Sequence, residues 1–299
     1  MKSARVNLPA SIHQRLLNRA HETGRPFNEL LQYFAIERLL YRLSVSDHSE
    51  SFILKGALMF NAWGLAGFRP TRDIDLLGHT GNAIDAIVEM FRSVCELNVD
   101  PDGLTFNAKT VKGERIKEDA DYEGIRITMT AQLGRTRLPI QIDIGFADVV
   151  TPAPEAVEYP VLLDHPAPRL YGYPPETVIA EKFQAMTTLG TANSRMKDFH
   201  DVWMLAGNFE FDGRTLQSAL ERTFHARRTD LPDDSHVIFS EEFAEAKSAQ
   251  WKTFTRRIKS TRDIEMEQVV QQIRKFLLPV VMASRQGVLF KKKWDGIWR

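Results

Sequence analysis

The sequence predicts an α+β fold, with a mixed-sheet lobe over residues 1–165 and a mainly helical lobe over residues 166–299. Three observations predict it. Helical and strand-like segments alternate in the order α-α-β-α-β-α-β-β-β as far as Phe146. A proline-rich stretch from Thr151 to Pro175 then interrupts regular structure and reads as a connection between lobes. Beyond it the apolar spacing is mostly helical.

Pro9 to Glu22 reads as a helix closed by Gly24, and Pro26 opens a second one, with Phe27, Leu30, Leu31, Phe34, Leu39 and Leu43 on or near one face. Ser51 to Lys55 is a short apolar segment, and after Gly56 the run Ala57 to Trp63 reads as a helix. Gly64, Gly67 and Pro70 make a loop before a strand from Arg72 to Leu77. An amphipathic helix follows from Ile84 to Cys95, then strands at Thr105 to Val111, Ile125 to Ala131 and Leu138 to Phe146.

Composition narrows the function. Lys+Arg and Asp+Glu are both 39, so neither a polybasic coat nor an acidic tail describes the chain. The single cysteine, Cys95, excludes a disulfide framework and a cysteine-rich zinc site and fits a reducing, cytoplasmic compartment. The first residues lack an apolar signal core, and the apolar run Phe276 to Ala283 is far too short to span a bilayer, so no membrane role is expected. Charge is uneven, however: Lys252 to Arg299 holds twelve bases against four acids, after an acidic stretch from Asp230 to Lys247. This basic region either grips a phosphate backbone or is a solvated helical face.

The chemistry concentrates in carboxylates. On a strand, Asp73 and Asp75 share one face while Ile74 and Leu76 point to the core. Two adjacent carboxylates repel unless a cation lies between them, and hard oxygen donors of this kind suit Mg²⁺ with phosphates as further ligands. Asp143 stands alone on the polar face of the strand Ile140-Gln141-Ile142-Asp143-Ile144. If that strand neighbours the first, Asp143 becomes a third carboxylate, the set that two-metal phosphoryl transfer needs. Gly56-Ala57 at a helix start offers backbone N–H groups with little bulk, which suits a triphosphate.

Gly-Ala at a helix start, with Asp-x-Asp sixteen residues after the Ala, resembles the nucleotidyltransferase fold of the DNA polymerase β superfamily. Leu54-Lys55-Gly56-Ala57-Leu58 with Arg69-x-Thr71-x-Asp73-Ile74-Asp75-Leu76 is similar, more narrowly, to the AbiEii/AbiGii toxins of bacterial abortive-infection and toxin–antitoxin systems. The likeness runs from Phe27 to Trp203, with Ala57 where that family usually carries Gly or Ser. In the second lobe, Ala180-Glu181-Lys182 and Arg195-Met196-Lys197-Asp198-Phe199-His200-Asp201 also resemble family motifs. The resemblance implies that Lys182 contacts nucleotide phosphates and that Asp198 lines the active site. By spacing alone, Lys182 either snorkels from an apolar row or aims into a cleft.

The expectation is therefore a nucleotidyltransferase with Asp73, Asp75 and Asp143 as metal ligands and Asp143 as candidate base. Lys55, Gly56, Ala57, Arg72 and Lys182 would handle the triphosphate, and the helical lobe would complete the cleft. The resemblance further implies an NTP substrate, an RNA acceptor such as the tRNA 3′ end, and a cognate antitoxin. The competing class is a non-catalytic, regulatory nucleotide-binding protein on the same fold. His200-Asp201 lacks the further histidines of a metal phosphohydrolase. Arg5 to Pro9 resembles a ribbon-helix-helix DNA-binding arm, or else begins a helical cap. Trp251, Trp294 and Trp298 either stack on bases or pack under a helix.

Overall fold

The computed structural model describes residues 7–65, 71–119, 122–258 and 264–299. Arg5, Val6, Gly67, Arg69 and Pro70, named above, lie outside the described residues, as do Lys259, Arg262 and Asp263 of the basic region. The chain forms two compact units: Met1–Ala147 with Glu155–Gly172, and Asp148–Pro154 with Tyr173–Arg299.

The first unit opens with α1 (Leu8–Thr23), capped by the Asn7 side chain and ended by Gly24 in the left-handed region, and α2 (Phe27–Ser44). Then come β1 (Phe52–Lys55), the single-turn α3 (Leu58–Ala62), β2 (Asp73–Gly78), α4 (Ile84–Glu96), β3 (Leu104–Asp119), β4 (Tyr122–Leu133) and β5 (Thr136–Gly145). Two short strands follow, β6 (Glu155–Glu158) and β7 (Arg169–Gly172). They lie in the proline-rich stretch read from sequence as a connection. Four-residue strands between prolines show no periodicity, and only the sheet reveals them.

The seven strands make one sheet in the order β3-β4-β5-β2-β1-β7-β6. It is mixed: β2 runs parallel to β5 and β1 parallel to β7, and the other neighbours are antiparallel. Because β7 pairs with β1, a break at residue 165 would cut one β6–β7 hairpin in two. One face carries Ile74, Leu76, Ile125, Ile127, Ile142 and Ile144, all buried. The apolar stripe of α4 (Ile87, Val88, Phe91, Val94) is buried with them, with Val88 and Ile127 meeting at Gly113. The opposite face carries the polar side chains. The helix α2 packs on α4, β5 and β7, and its Arg42 forks onto buried Asp102 at 2.6 and 3.1 Å.

The second unit contains α5 (Pro175–Leu189), α6 (Met196–Asn208), α7 (Gly213–Ala226), α8 (Glu241–Arg257) and α9 (Met266–Arg285). A two-stranded ribbon joins β8 (Phe211–Asp212) to β9 (Lys293–Trp294). The apolar run after Phe276 is the buried face of α9. Trp251 and Trp294 are buried, and their indole N–H groups donate to the carbonyls of Ile264 and Ala206, both at 2.7 Å. Trp298 stacks on Phe276 and donates to its carbonyl. All three are packing residues. Among the described residues no helix is long and apolar enough to cross a membrane.

Candidate active site

The site on the first unit follows from strand register. Lys55 on β1 stands opposite Asp75 on β2, Asp75 opposite Asp143 on β5, Asp143 opposite Arg126 on β4, and Arg126 opposite Glu114 on β3. Directly opposed residues share a face, so five charged side chains cross the polar face in one row. Asp73 lies two residues before Asp75, in the next row with Gln141, Thr128 and Lys112. The sequence placed Asp73, Asp75 and Asp143 on polar strand faces, and the sheet makes it the same face.

β1 ends in a tight turn at Gly56, whose φ is +71°. The Asp75 carboxylate lies directly on this glycine: a Cβ there would come 2.0 Å from Oδ2. Ala57 follows, buried, and leads into α3. This helix is a single turn, so whatever it offers a phosphate comes from local N–H groups rather than a macrodipole. Lys55 is buried at the end of β1, while Arg72 is exposed just before β2. The Thr71 N–H donates to the Tyr33 hydroxyl at 3.1 Å, which ties the start of β2 to α2.

Asp143 has company that sequence spacing did not reveal. Arg126 grips it in a two-pronged fork, Nε to Oδ1 and Nη2 to Oδ2, each 2.8 Å. The Gln141 amide adds longer contacts at 3.3 and 3.4 Å. The hydrogen bond to Asp143 pushes the Arg126 guanidinium pKa further up, and the nearby Asp73 charge adds to it. The only sequence signal for Arg126 was a lone cation between Ile125 and Ile127 on a strand.

The donor chemistry of Asp73 and Asp75, carboxylates above a glycine that leaves room, fits a hard divalent cation completed by water and phosphate oxygens. Asp143 is adjacent but gives both oxygens to Arg126. Among the described residues no three His, Cys, Asp or Glu side chains are gathered tightly enough to hold an ion. Beside Asp73 a groove of about 1080 Å³ opens, lined by residues of α2, β3, β4 and β5 together with Arg72 and Asp73.

In the second unit, Lys182 on α5 reaches two fully buried carboxylates of α6, Asp198 at 3.2 Å and Asp201 at 2.7 Å. Arg195 joins Asp198 at 2.6 Å. The structure thus brings Lys182 and Asp198 together, and it adds Asp201 of the same motif. The His200 ring packs near Trp203, Trp251 and Phe254. Such a network holds α5 and α6 in register, since each buried charge needs its partner.

A family model described as nucleotidyl transferase AbiEii toxin, type IV TA system, matches residues 38–273. The fold is that of a nucleotidyltransferase. Within that class the chain belongs to the AbiEii toxin family of type IV toxin–antitoxin systems. The crystal structure of JHP933 from Helicobacter pylori shares the fold, with a TM-score of 0.50 at 16% identity over 87% of this chain and 97% of that one. A second H. pylori structure, described as a proposed nucleotidyltransferase, matches with a TM-score of 0.41 at 16% identity over 79% and 98%. No curated protein matches the chain by sequence.

Proposed function

We propose that the chain is a Mg²⁺-dependent nucleotidyltransferase toxin that moves a nucleotide from an NTP to an RNA acceptor, the tRNA 3′ end. The observation that carries this reading is the Asp75 carboxylate seated on the Gly56 turn, with Asp73 beside it at the edge of a polar groove. The acceptor hydroxyl oxygen bonds to the α-phosphorus, the bond to the bridging oxygen breaks, and pyrophosphate leaves. Mg²⁺ held by Asp73 and Asp75 would supply charge neutralisation for the triphosphate and a more acidic acceptor hydroxyl. Gly56 and Ala57 let the backbone approach the phosphates, and Lys55 and Arg72 offset their charge. Within the second unit, Asp198 and Asp201 hold Lys182 in place. Once Arg126 lets go of it, Asp143 would either take the hydroxyl proton or, while ionised, stand as a third ligand to the ion. A cytoplasmic location and a cognate antitoxin complete the proposal.

One observation favours the second reading, a non-catalytic nucleotide-binding regulator. The fork from Arg126 occupies both oxygens of the only proposed base. One experiment separates the two. The protein is incubated with each labelled NTP, total cellular RNA and Mg²⁺, beside Asp75→Asn. The catalytic reading expects label in RNA, lost on chelation and reduced about a hundredfold or more in the variant, the scale of losing one preorganised electrostatic contact. NTP binding without any transfer of label is the regulator's outcome.

A further inference from the structure

We propose that the groove along β3, β4 and β5 seats the phosphodiester backbone of a single-stranded RNA acceptor; this rests on the nucleotidyltransferase reading and assigns its second substrate a place. The groove starts at Arg72 and Asp73 and follows β5 from Gln141 to Arg137. Those four residue steps span about 13 Å of strand, room for about two nucleotides of an extended single strand. An adjoining hollow of about 500 Å³ shares Lys109, Thr110, Thr130 and Arg137 with it and continues to Asn107 and Gln132.

Four exposed cations line the groove: Arg72, Lys109, Lys112 and Arg137. Among the described residues none of them has an ion-pair partner, whereas Arg126 on the same face is forked to Asp143. Among the described residues Asp73, at the end where chemistry is proposed, is the one acid lining the groove; Glu96 lines the adjoining hollow. Unpaired cations strung along one track answer a chain of anions.

The backbone is built for this presentation. Asn107 pairs with Thr130 and Lys112 with Thr128, so β3 spends three more residues than β4 over the same interval. The bulge is fixed by its own hydrogen bonds. The Lys109 N–H donates to Asn107 Oδ1 at 3.1 Å, the Thr110 hydroxyl donates to the Asn107 carbonyl at 2.7 Å, and Thr110 Oγ1 accepts the Thr130 N–H at 3.0 Å. Bulges of this kind re-aim side chains beside sites. Thr128, Thr130 and Gln141 add neutral hydrogen-bonding groups, and among the described residues no aromatic side chain lines the groove. Recognition by these groups falls on phosphate and sugar, independent of sequence.

The test uses the full chain and the triple variant Lys109→Gln, Lys112→Gln, Arg137→Gln, all exposed positions, with folding checked by thermal melting. Binding of a labelled 12-nucleotide RNA is titrated between 50 and 300 mM salt, and NTP binding and label transfer are followed in parallel. Single strands lose about 0.7 in the slope of log K against log salt per phosphate contact, so the variant slope should fall by about two and affinity at low salt by about a hundredfold. NTP binding should hold. Lys291→Gln, Lys292→Gln, Lys293→Gln is the comparison, and its slope should not move. An unchanged slope in the groove variant, a loss confined to the C-terminal variant, or equal displacement of RNA by polyglutamate (the mark of an acidic-protein surface) each overturns the proposal. If wild type binds RNA through the groove but never transfers label, the catalytic reading fails alone. If it transfers label and the groove variant binds RNA as wild type does, the groove fails alone.

Discussion

Asp75 rests its carboxylate on Gly56, so close that the smallest side chain at that glycine would stand 2.0 Å from Oδ2. Sequence distance separates them by nineteen positions; the antiparallel pairing of β1 with β2 brings them together. Glycine is needed twice, for a φ of +71° and for the contact.

Gly56→Ala should therefore cost about 2 kcal/mol in urea unfolding, from backbone strain and a displaced Asp75. It should also abolish nucleotide transfer. A variant with wild-type stability and activity would show that the turn has freedom the contact denies it.

Arg126→Met removes the fork on Asp143, whose side chain is only 16% exposed. The partly exposed arginine limits the loss to about 1 kcal/mol. Urea unfolding of the variant checks this, and unchanged stability would mean that the fork contributes nothing to the fold.

For Lys182 spacing left two readings open, a snorkelling side chain and a cleft lysine. It neutralises two fully buried aspartates, so Lys182→Ala should cost about 3 kcal/mol or more by chemical denaturation. Lost activity in that variant carries mechanistic weight only beside a measured unfolding curve. Unchanged stability would mean that Asp198 and Asp201 do not depend on Lys182 for neutralisation.

Glu37 on α2 is buried against Arg38, at 2.9 Å, and accepts the Leu162 N–H at 2.7 Å. Burial outweighs both partners and raises its pKa to about 7 from 4.5. The folded state then binds the proton more tightly than the unfolded chain. Its contribution is full below pH 4.5 and is lost as pH rises through about 7, on the order of 3 kcal/mol. Unfolding of wild type and Glu37→Gln between pH 5 and 8 checks this: the wild type should lose ground to the variant as pH rises. Parallel curves would sink the idea.

Much was legible because local physics writes it into the chain. Alternation put Asp73 and Asp75 on one face of a strand, Gly24 and Pro26 marked the break between α1 and α2, and the lone Asp143 among isoleucines advertised a polar purpose. Periodicity and turn residues act over a few positions, so the helices and the long strands could be placed.

Register and pairing act across the chain, and only the tertiary structure decided them. It set Asp143 beside Asp75, closed Arg126 on Asp143, drew β6 and β7 out of a proline-rich stretch, and turned Lys182, Asp198 and Asp201 into one buried network. A one-residue slip of any strand would turn its side chains to the other face. Sequence alone determined which residues could carry the chemistry. Which of them stand together was decided by backbone hydrogen bonds between segments up to 118 residues apart and by the need to pair every buried charge.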